Sequence, residues 1–230
     1  MPAPTPIPTD LALIRLLHLV SPALPIGMYS YSQGMERAVE DGWIATEQQA
    51  AQWLGCVLER SLAKVDVPLL ARLHAAWERQ DESAVAALSE TLTACRETAE
   101  LRAEDRQTGQ ALARLLLNLG VAEAEPWMQH PKTTLATSHA LAAVRWHIPC
   151  HTAAQGYLWA WLENQVLCAV KLIPLGQTAG QRLLLELASR IPAITATGLA
   201  LDDEAMGGSS LGLALASSRH ETQYSRLFRS

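Results

Sequence analysis

The residues best suited to metal binding lie close together at His147, Cys150 and His151. Imidazole nitrogens and thiolates are ligands that zinc and other transition metals prefer, and two histidines four residues apart on one helix can share an ion. Pro149 lies between these two histidines and is expected to break the helix, which turns their side chains apart. The pattern therefore favours structural side chains at a helix junction, with these three residues as the candidates if a metal does bind.

Motifs of the common enzyme classes are absent from the chain. It contains no GxxxxGK[ST] phosphate-binding loop, no HExxH zinc motif and no GxSxG nucleophile motif. No acid–base pair stands out from the other charged residues. The sequence thus predicts a protein that is not an enzyme and has no cofactor. An α-helical hydrolase of unrecognised type is the alternative, for which the sequence offers no nucleophile.

The C-terminal segment 217–230, called the tail below, combines basic and apolar side chains. Its charged residues are Arg219, Glu221, Arg226 and Arg229, in a chain whose formal net charge is −5. Tyr224, Leu227 and Phe228 follow helical spacing, and Phe228 is the only phenylalanine of the chain. Aromatic residues and arginine are common anchors of protein interfaces. The positive tail therefore has the charge to dock on the rest of this chain or on an acidic partner, with a frayed terminus as the alternative. We predict that it binds a partner and adds little to the core.

Lys171 ends a long apolar segment, residues 152–172, just before Pro174. The residues alone favour a structural role, since a cation at a helix C-terminus contributes about 0.3–1 kcal/mol. The segment that precedes Lys171 is rich in aromatic and apolar residues, so we expect it to be the central and most buried helix.

Apolar residues recur at helical spacing along most of the chain, with breaks at prolines and glycines. Thr46 and Gln49 form a capping box for a helix that is predicted to run to about Val65, and Pro68 is predicted to start the next helix. The segment 96–110 carries many charges of both signs, which is typical of a solvated helix face. No alternating strand pattern is present. The sequence predicts an all-α, single-domain bundle of about ten helices with no sheet.

Composition limits the remaining classes of protein and of partner. The chain is 49% hydrophobic and 18% charged, which suits a folded core, and its negative charge argues against a nucleic-acid partner. No uncharged apolar run is long enough to cross a membrane, and the four scattered cysteines favour a reducing compartment, so a cytoplasmic location is expected. Residues 1–9, with four prolines, are predicted to form a flexible arm before a domain over 10–216.

A Pro/Gly elbow over residues 21–34 separates the first two predicted helices, and it contains a recognisable pattern. Residues 24–27 read LPIG and residues 29–36 read YSYSQGME. Residues 171–181 read KLIPLGQTAGQ, and the tail contains HE at 220–221 and YSRLF at 224–228. These blocks lie in order across nearly the whole chain. Together they resemble the UreF family of urease accessory proteins.

The resemblance implies an all-α adaptor protein that works in nickel insertion into urease. Proteins of this family bridge the nickel-carrying GTPase UreG and the scaffold protein UreD, also called UreH, modulate the GTPase and promote maturation of the urease apoprotein. They commonly form homodimers. The alternative is a metallochaperone that binds nickel itself. This chain has no His or Cys over residues 205–207, where some relatives carry possible metal ligands, which argues against a nickel site there.

The resemblance also assigns residues to two partner surfaces. Tyr29 and Arg226 match positions that are coupled when the scaffold binds, and the tail is expected to become ordered on that binding. The implied scaffold contacts are Tyr29, Tyr224, Arg226, Leu227 and Phe228. Glu36 and Lys171 are implied to lie on the surface that faces the GTPase.

Overall fold

The structure, a computed structural model, describes residues 10–230, so the predicted arm over residues 1–9 lies outside the described part. The α-helices are α1 Asp10–Leu19, α2 Met35–Glu40, α3 Glu47–Val57, α4 Val67–Glu78, α5 Glu82–Ala94, α6 Ala99–Asn118, α7 Leu135–Arg145, α8 Cys150–Leu172, α9 Gln177–Ala188, α10 Ile191–Leu199 and α11 Leu211–His220. Short 3₁₀ helices cover Met28–Ser30 and Ala122–Met128. Residues 10–230 contain no strand, which confirms the all-α prediction.

Helix α8 runs through the middle of the bundle. It packs against α2, α4, α7, α9 and α10, and apolar residues occur around its whole circumference. A helix that is apolar all round is stable only when other helices cover it. The sequence prediction of a central helix before Pro174 is therefore confirmed, and the end of α8 places Lys171 beside the C-terminal tail.

Helix α3 is capped by Thr46 as predicted, since the Thr46 hydroxyl accepts the backbone N–H of Gln49. The predicted capping box is incomplete, because the Gln49 side chain accepts the amide of Ala45 and not that of Thr46. The predicted break near Val65 is wrong. A π-helical segment, Leu58–Asp66, connects α3 directly to α4, and Pro68 lies in the first turn of α4. Proline lacks an N–H and clashes with the carbonyl four residues earlier in an α-helix. The wider π-helical turns change that hydrogen-bonding pattern, so the chain passes Pro68 without leaving the helix.

The charged segment 96–110 is not a solvated face, contrary to the sequence prediction. Arg96 precedes α6, which Thr98 caps, and the side chains of Glu104 and Asp105 point into the protein. Both carboxylates are nearly buried, with Glu104 8% and Asp105 7% exposed. Buried charges are tolerated when partners and hydrogen bonds compensate for lost hydration. Those partners come from distant parts of the chain, so local charge density could not show them.

Candidate partner-binding site

The tail lies against the elbow and is held by backbone hydrogen bonds. The amide of Arg229 donates to the Ser30 carbonyl at 2.8 Å, and the amide of Ser32 donates to the Ser230 carbonyl at 2.7 Å. Phe228 is 5% exposed and forms part of the hydrophobic core. The expectation that the tail adds little to the core is therefore wrong for Phe228, because its ring fills apolar space between helices.

Glu36 on α2 binds the backbone of the tail on its buried side. Its carboxylate accepts the backbone N–H groups of Leu227 at 2.7 Å and Phe228 at 2.8 Å. Backbone donors aimed at a carboxylate compensate for the hydration that it loses on burial. Glu36 is only 9% exposed, so the tail covers the residue that the sequence resemblance placed on a GTPase-facing surface. That GTPase role stays a prediction.

A second link joins the tail to α6 through His220, which is fully buried at the end of α11. Its Nδ1 lies 2.7 Å from one oxygen of Glu100, and its Nε2 lies 3.5 Å from Glu36. The other oxygen of Glu100 accepts a hydrogen bond from the Arg226 guanidinium at 2.7 Å. Glu100 on α6 and the carbonyls of Glu221 and Gln223 in the tail thus hold the Arg226 guanidinium in a defined position.

Lys171 contacts the tail as well. Its ammonium lies 5.6 Å from the centre of the Phe228 ring, at cation–π distance. The structure therefore brings Glu36 and Lys171, the predicted GTPase contacts, against the same tail that carries the predicted scaffold contacts. The two predicted surfaces meet at Phe228.

The remaining predicted scaffold residues are exposed. Tyr224 is 105% exposed, Leu227 65% and Tyr29, on the 3₁₀ turn of the elbow, 66%. A backbone that is already fixed loses little further conformational entropy when a partner covers the side chains that it carries. Tyr29, Tyr224 and Leu227 are thus available for direct contact, whereas Phe228 acts through the packing of the tail.

Glu104 is the site residue that sequence reasoning missed. Its carboxylate accepts hydrogen bonds from Gln33 Nε2 at 2.8 Å and from the Ser230 hydroxyl at 2.9 Å. Gln33 in turn accepts the indole N–H of Trp161 at 2.8 Å. Burial raises the pKa of Glu104 to about 7, against the two hydrogen bonds, which lower it. Glu104 therefore links the end of the tail to the elbow and titrates near neutral pH.

Replacement of Glu104 by glutamine should change how stability depends on pH. A carboxyl whose pKa is higher in the folded than in the unfolded chain stabilises the fold below about pH 4.5, and that contribution disappears as pH rises through about 7. We expect Glu104→Gln to be more stable than the wild type at pH 8, by up to about 3 kcal/mol, and the difference to shrink towards pH 5. Urea unfolding across this pH range measures it. A difference that is constant with pH would contradict the raised pKa.

Asp66, Arg96 and Asp105 form a separate cluster of buried charges. The Arg96 guanidinium lies 2.6 Å from Asp66 and 2.9 Å from Asp105. Burial lowers the pKa of Arg96, but the two carboxylates more than reverse this and raise it well above its usual value. The Tyr157 hydroxyl donates to Asp66 at 3.0 Å, and the Leu135 amide donates to Asp105 at 2.8 Å. The cluster thus joins the π-helical segment to α6, α7 and α8.

The predicted break at Pro149 is confirmed, since α7 ends at Arg145 and α8 begins at Cys150. His147 lies in the connection with φ 58°, and His151 Nε2 lies 3.3 Å from the Gln155 amide nitrogen on α8. Burial raises the pKa of Cys150 to about 11, which disfavours the thiolate that metals bind. No group of three His, Cys, Asp or Glu residues with the geometry of a metal site occurs in the described part of the chain.

None of the helices within residues 10–230 has the length and apolar character needed to cross a membrane.

Comparison with known proteins agrees with the resemblance. The family model for UreF matches residues 44–188. The urease accessory protein UreF of Alkalilimnicola ehrlichii is 60% identical over 220 residues, which cover 96% of each chain. The proteins of the same name from Azoarcus sp. and Teredinibacter turnerae are 52% and 48% identical, over 96% and 95% of this chain and 96% and 98% of their own. The chain belongs to the UreF family of urease accessory proteins.

Proposed function

We propose that the chain is a non-enzymatic adaptor in nickel insertion into urease. In this proposal it binds the scaffold accessory protein UreD/UreH and the GTPase UreG, modulates the GTPase and promotes maturation of the urease apoprotein. It does so as a homodimer. Membership of the UreF family supports the role in urease maturation. The observation that carries the adaptor proposal is the tail, which is fixed to the body yet presents Tyr224 and Leu227 to solvent.

The scaffold is proposed to dock on the outer face of the tail. Glu36, Glu100 and Ser32 hold the backbone and side chains of the tail from the inner side, so its outer apolar groups are presented without a partner from the described residues. Exposed aromatic and apolar groups of this kind form the centre of many interfaces. Arg226 is proposed to act by positioning the tail, since its guanidinium binds Glu100.

The GTPase is proposed to dock beside Lys171, whose ammonium is exposed at the end of α8. A rim charge of this kind affects association rate and partner choice more than folding stability. Glu36 is proposed to influence the GTPase through the tail that covers it. Since Lys171 and Glu36 both contact the tail, scaffold binding and GTPase binding would be coupled through one segment.

The scaffold surface is tested by a matched pair of leucines. Leu227 in the tail is 65% exposed and Leu185 on α9 is 67% exposed. Truncation to alanine should therefore change the stability of the free protein by about the same amount at both positions. We expect Leu227→Ala to weaken binding of purified UreD/UreH about tenfold or more, because a central apolar contact is lost. Leu185→Ala should bind within about twofold of wild type. Isothermal titration calorimetry measures both.

Two outcomes would contradict the proposal. Equal affinities of the two variants would remove the tail from the scaffold interface. Absence of binding by the wild type would remove the adaptor role. Bridging itself is tested by co-purification, in which tagged UreG should recover UreD/UreH only when this chain is present.

A further inference from the structure

A cleft of about 280 Å³ opens between the elbow and α6, beside the tail. Its lining includes the side chains of Tyr29, Tyr31, Gln107, Gln110, Arg114 and Arg229. Two of these residues belong to the elbow, three to α6 and one to the tail. Among the residues that the structure describes, no aspartate or glutamate lines it. The cleft therefore has two positive charges and no negative one from its described lining.

The two arginines of the cleft have no carboxylate partner among the described residues. Neither Arg114 nor Arg229 forms an ion pair within residues 10–230, whereas Arg96, Arg219 and Arg226 each bind a carboxylate. The Arg114 guanidinium donates only to the Met128 carbonyl at 3.2 Å among the described hydrogen bonds. In a chain with a formal net charge of −5, two unpaired guanidinium groups in one concavity form a local site for an anion.

Other polar groups of the cleft are already engaged by the protein, which leaves the two guanidinium groups as its free charges. The Tyr31 hydroxyl donates to Gln107 Oε1 at 2.8 Å, and Gln110 Nε2 donates to the His130 carbonyl at 3.1 Å. Burial raises the pKa of Tyr31, and the positive charge of nearby Arg229 opposes that shift. Glu104 also acts on Tyr31, but it is buried and engaged by Gln33 and Ser230. A guanidinium binds a carboxylate through two parallel hydrogen bonds.

We propose that this cleft receives an acidic side chain, aspartate or glutamate, of the scaffold protein. The inference rests on the proposed function, because it uses the scaffold as the partner that covers the tail. The cleft adjoins the surface proposed for the scaffold, which supports this choice of partner. Arg229 is two residues from the exposed Leu227, and the exposed Tyr29 lines the cleft. A partner that covers Leu227 and Tyr29 therefore covers the mouth of the cleft, where two positive charges need a complementary charge.

The test is the double variant Arg114→Gln/Arg229→Gln, which removes both charges and keeps polar side chains of similar length. The matched control is Arg106→Gln, an exposed arginine on the same helix that does not line the cleft. With purified UreD/UreH as the probe, we expect the double variant to bind about tenfold or more weakly at about 50 mM NaCl, and the loss to shrink at about 500 mM NaCl. Arg106→Gln should bind within about twofold of wild type at both salt concentrations.

The outcomes separate this inference from the proposed function. If the double variant binds like wild type while Leu227→Ala binds weakly, the cleft does not receive a scaffold carboxylate and the adaptor proposal stands. If wild type does not bind UreD/UreH, both are overturned. Circular dichroism shows whether the double variant folds. If it does not, the Arg114→Lys/Arg229→Lys variant should retain salt-dependent binding at intermediate affinity, and salt-independent binding by that variant would overturn the inference.

Discussion

Replacement of Arg96 by alanine is expected to destabilise the fold by about 3–5 kcal/mol, a large part of the stability of a typical domain. Arg96 is the cation between Asp66, which is fully buried, and Asp105, which is nearly so. Without it, two carboxylates face each other inside the protein with little water to screen them. Urea or guanidinium unfolding at pH 7 measures the loss of free energy.

Arg106→Ala is the control for this experiment. Arg106 lies on α6 and is exposed, so its removal should change the free energy of unfolding by no more than about 0.5 kcal/mol. A loss below about 1 kcal/mol for Arg96→Ala would contradict the buried cluster, since it would mean that solvent reaches Asp66 or Asp105 in the folded protein.

Replacement of Gly34 by alanine should disturb the contact on which the tail depends. Gly34 has φ 76°, and a Cβ atom there would lie 2.6 Å from the Ser217 amide nitrogen, on the backbone of α11. Gly42 has almost the same φ, 75°, but a Cβ there meets no atom of residues 10–230 within 4 Å. Both alanines would have the strain of a left-handed conformation, about 1–2 kcal/mol. Only Gly34→Ala must also displace α11.

We therefore expect Gly34→Ala to destabilise the protein by about 1–3 kcal/mol more than Gly42→Ala, the usual range for overpacking. Because α11 leads directly into the tail, Gly34→Ala should also weaken binding of UreD/UreH, and Gly42→Ala should not. Thermal unfolding and calorimetric titration of both variants provide the comparison. Equal losses of stability would show that α11 moves aside freely, and the tail would then be less firmly held than the structure indicates.

The helical organisation of this chain was predictable because its signals are local. Thr46 caps α3 and Pro149 separates α7 from α8, as turn and capping chemistry predicts. The apolar character of residues 152–172 identified the central helix. The family resemblance was also readable from short blocks of residues. Each of these signals lies within one continuous stretch of the chain, so it can be read without knowing which distant residues come together.

The positions of the charged residues were decided by tertiary structure alone. Local sequence predicted that segment 96–110 is solvated, but Asp105 is buried because Arg96 neutralises it together with Asp66, which lies on a different helical segment. Glu36 is buried because amides 191 and 192 residues further along the chain donate to it. Burial of a charge depends on a compensating partner, and that partner is brought close only when the whole chain folds.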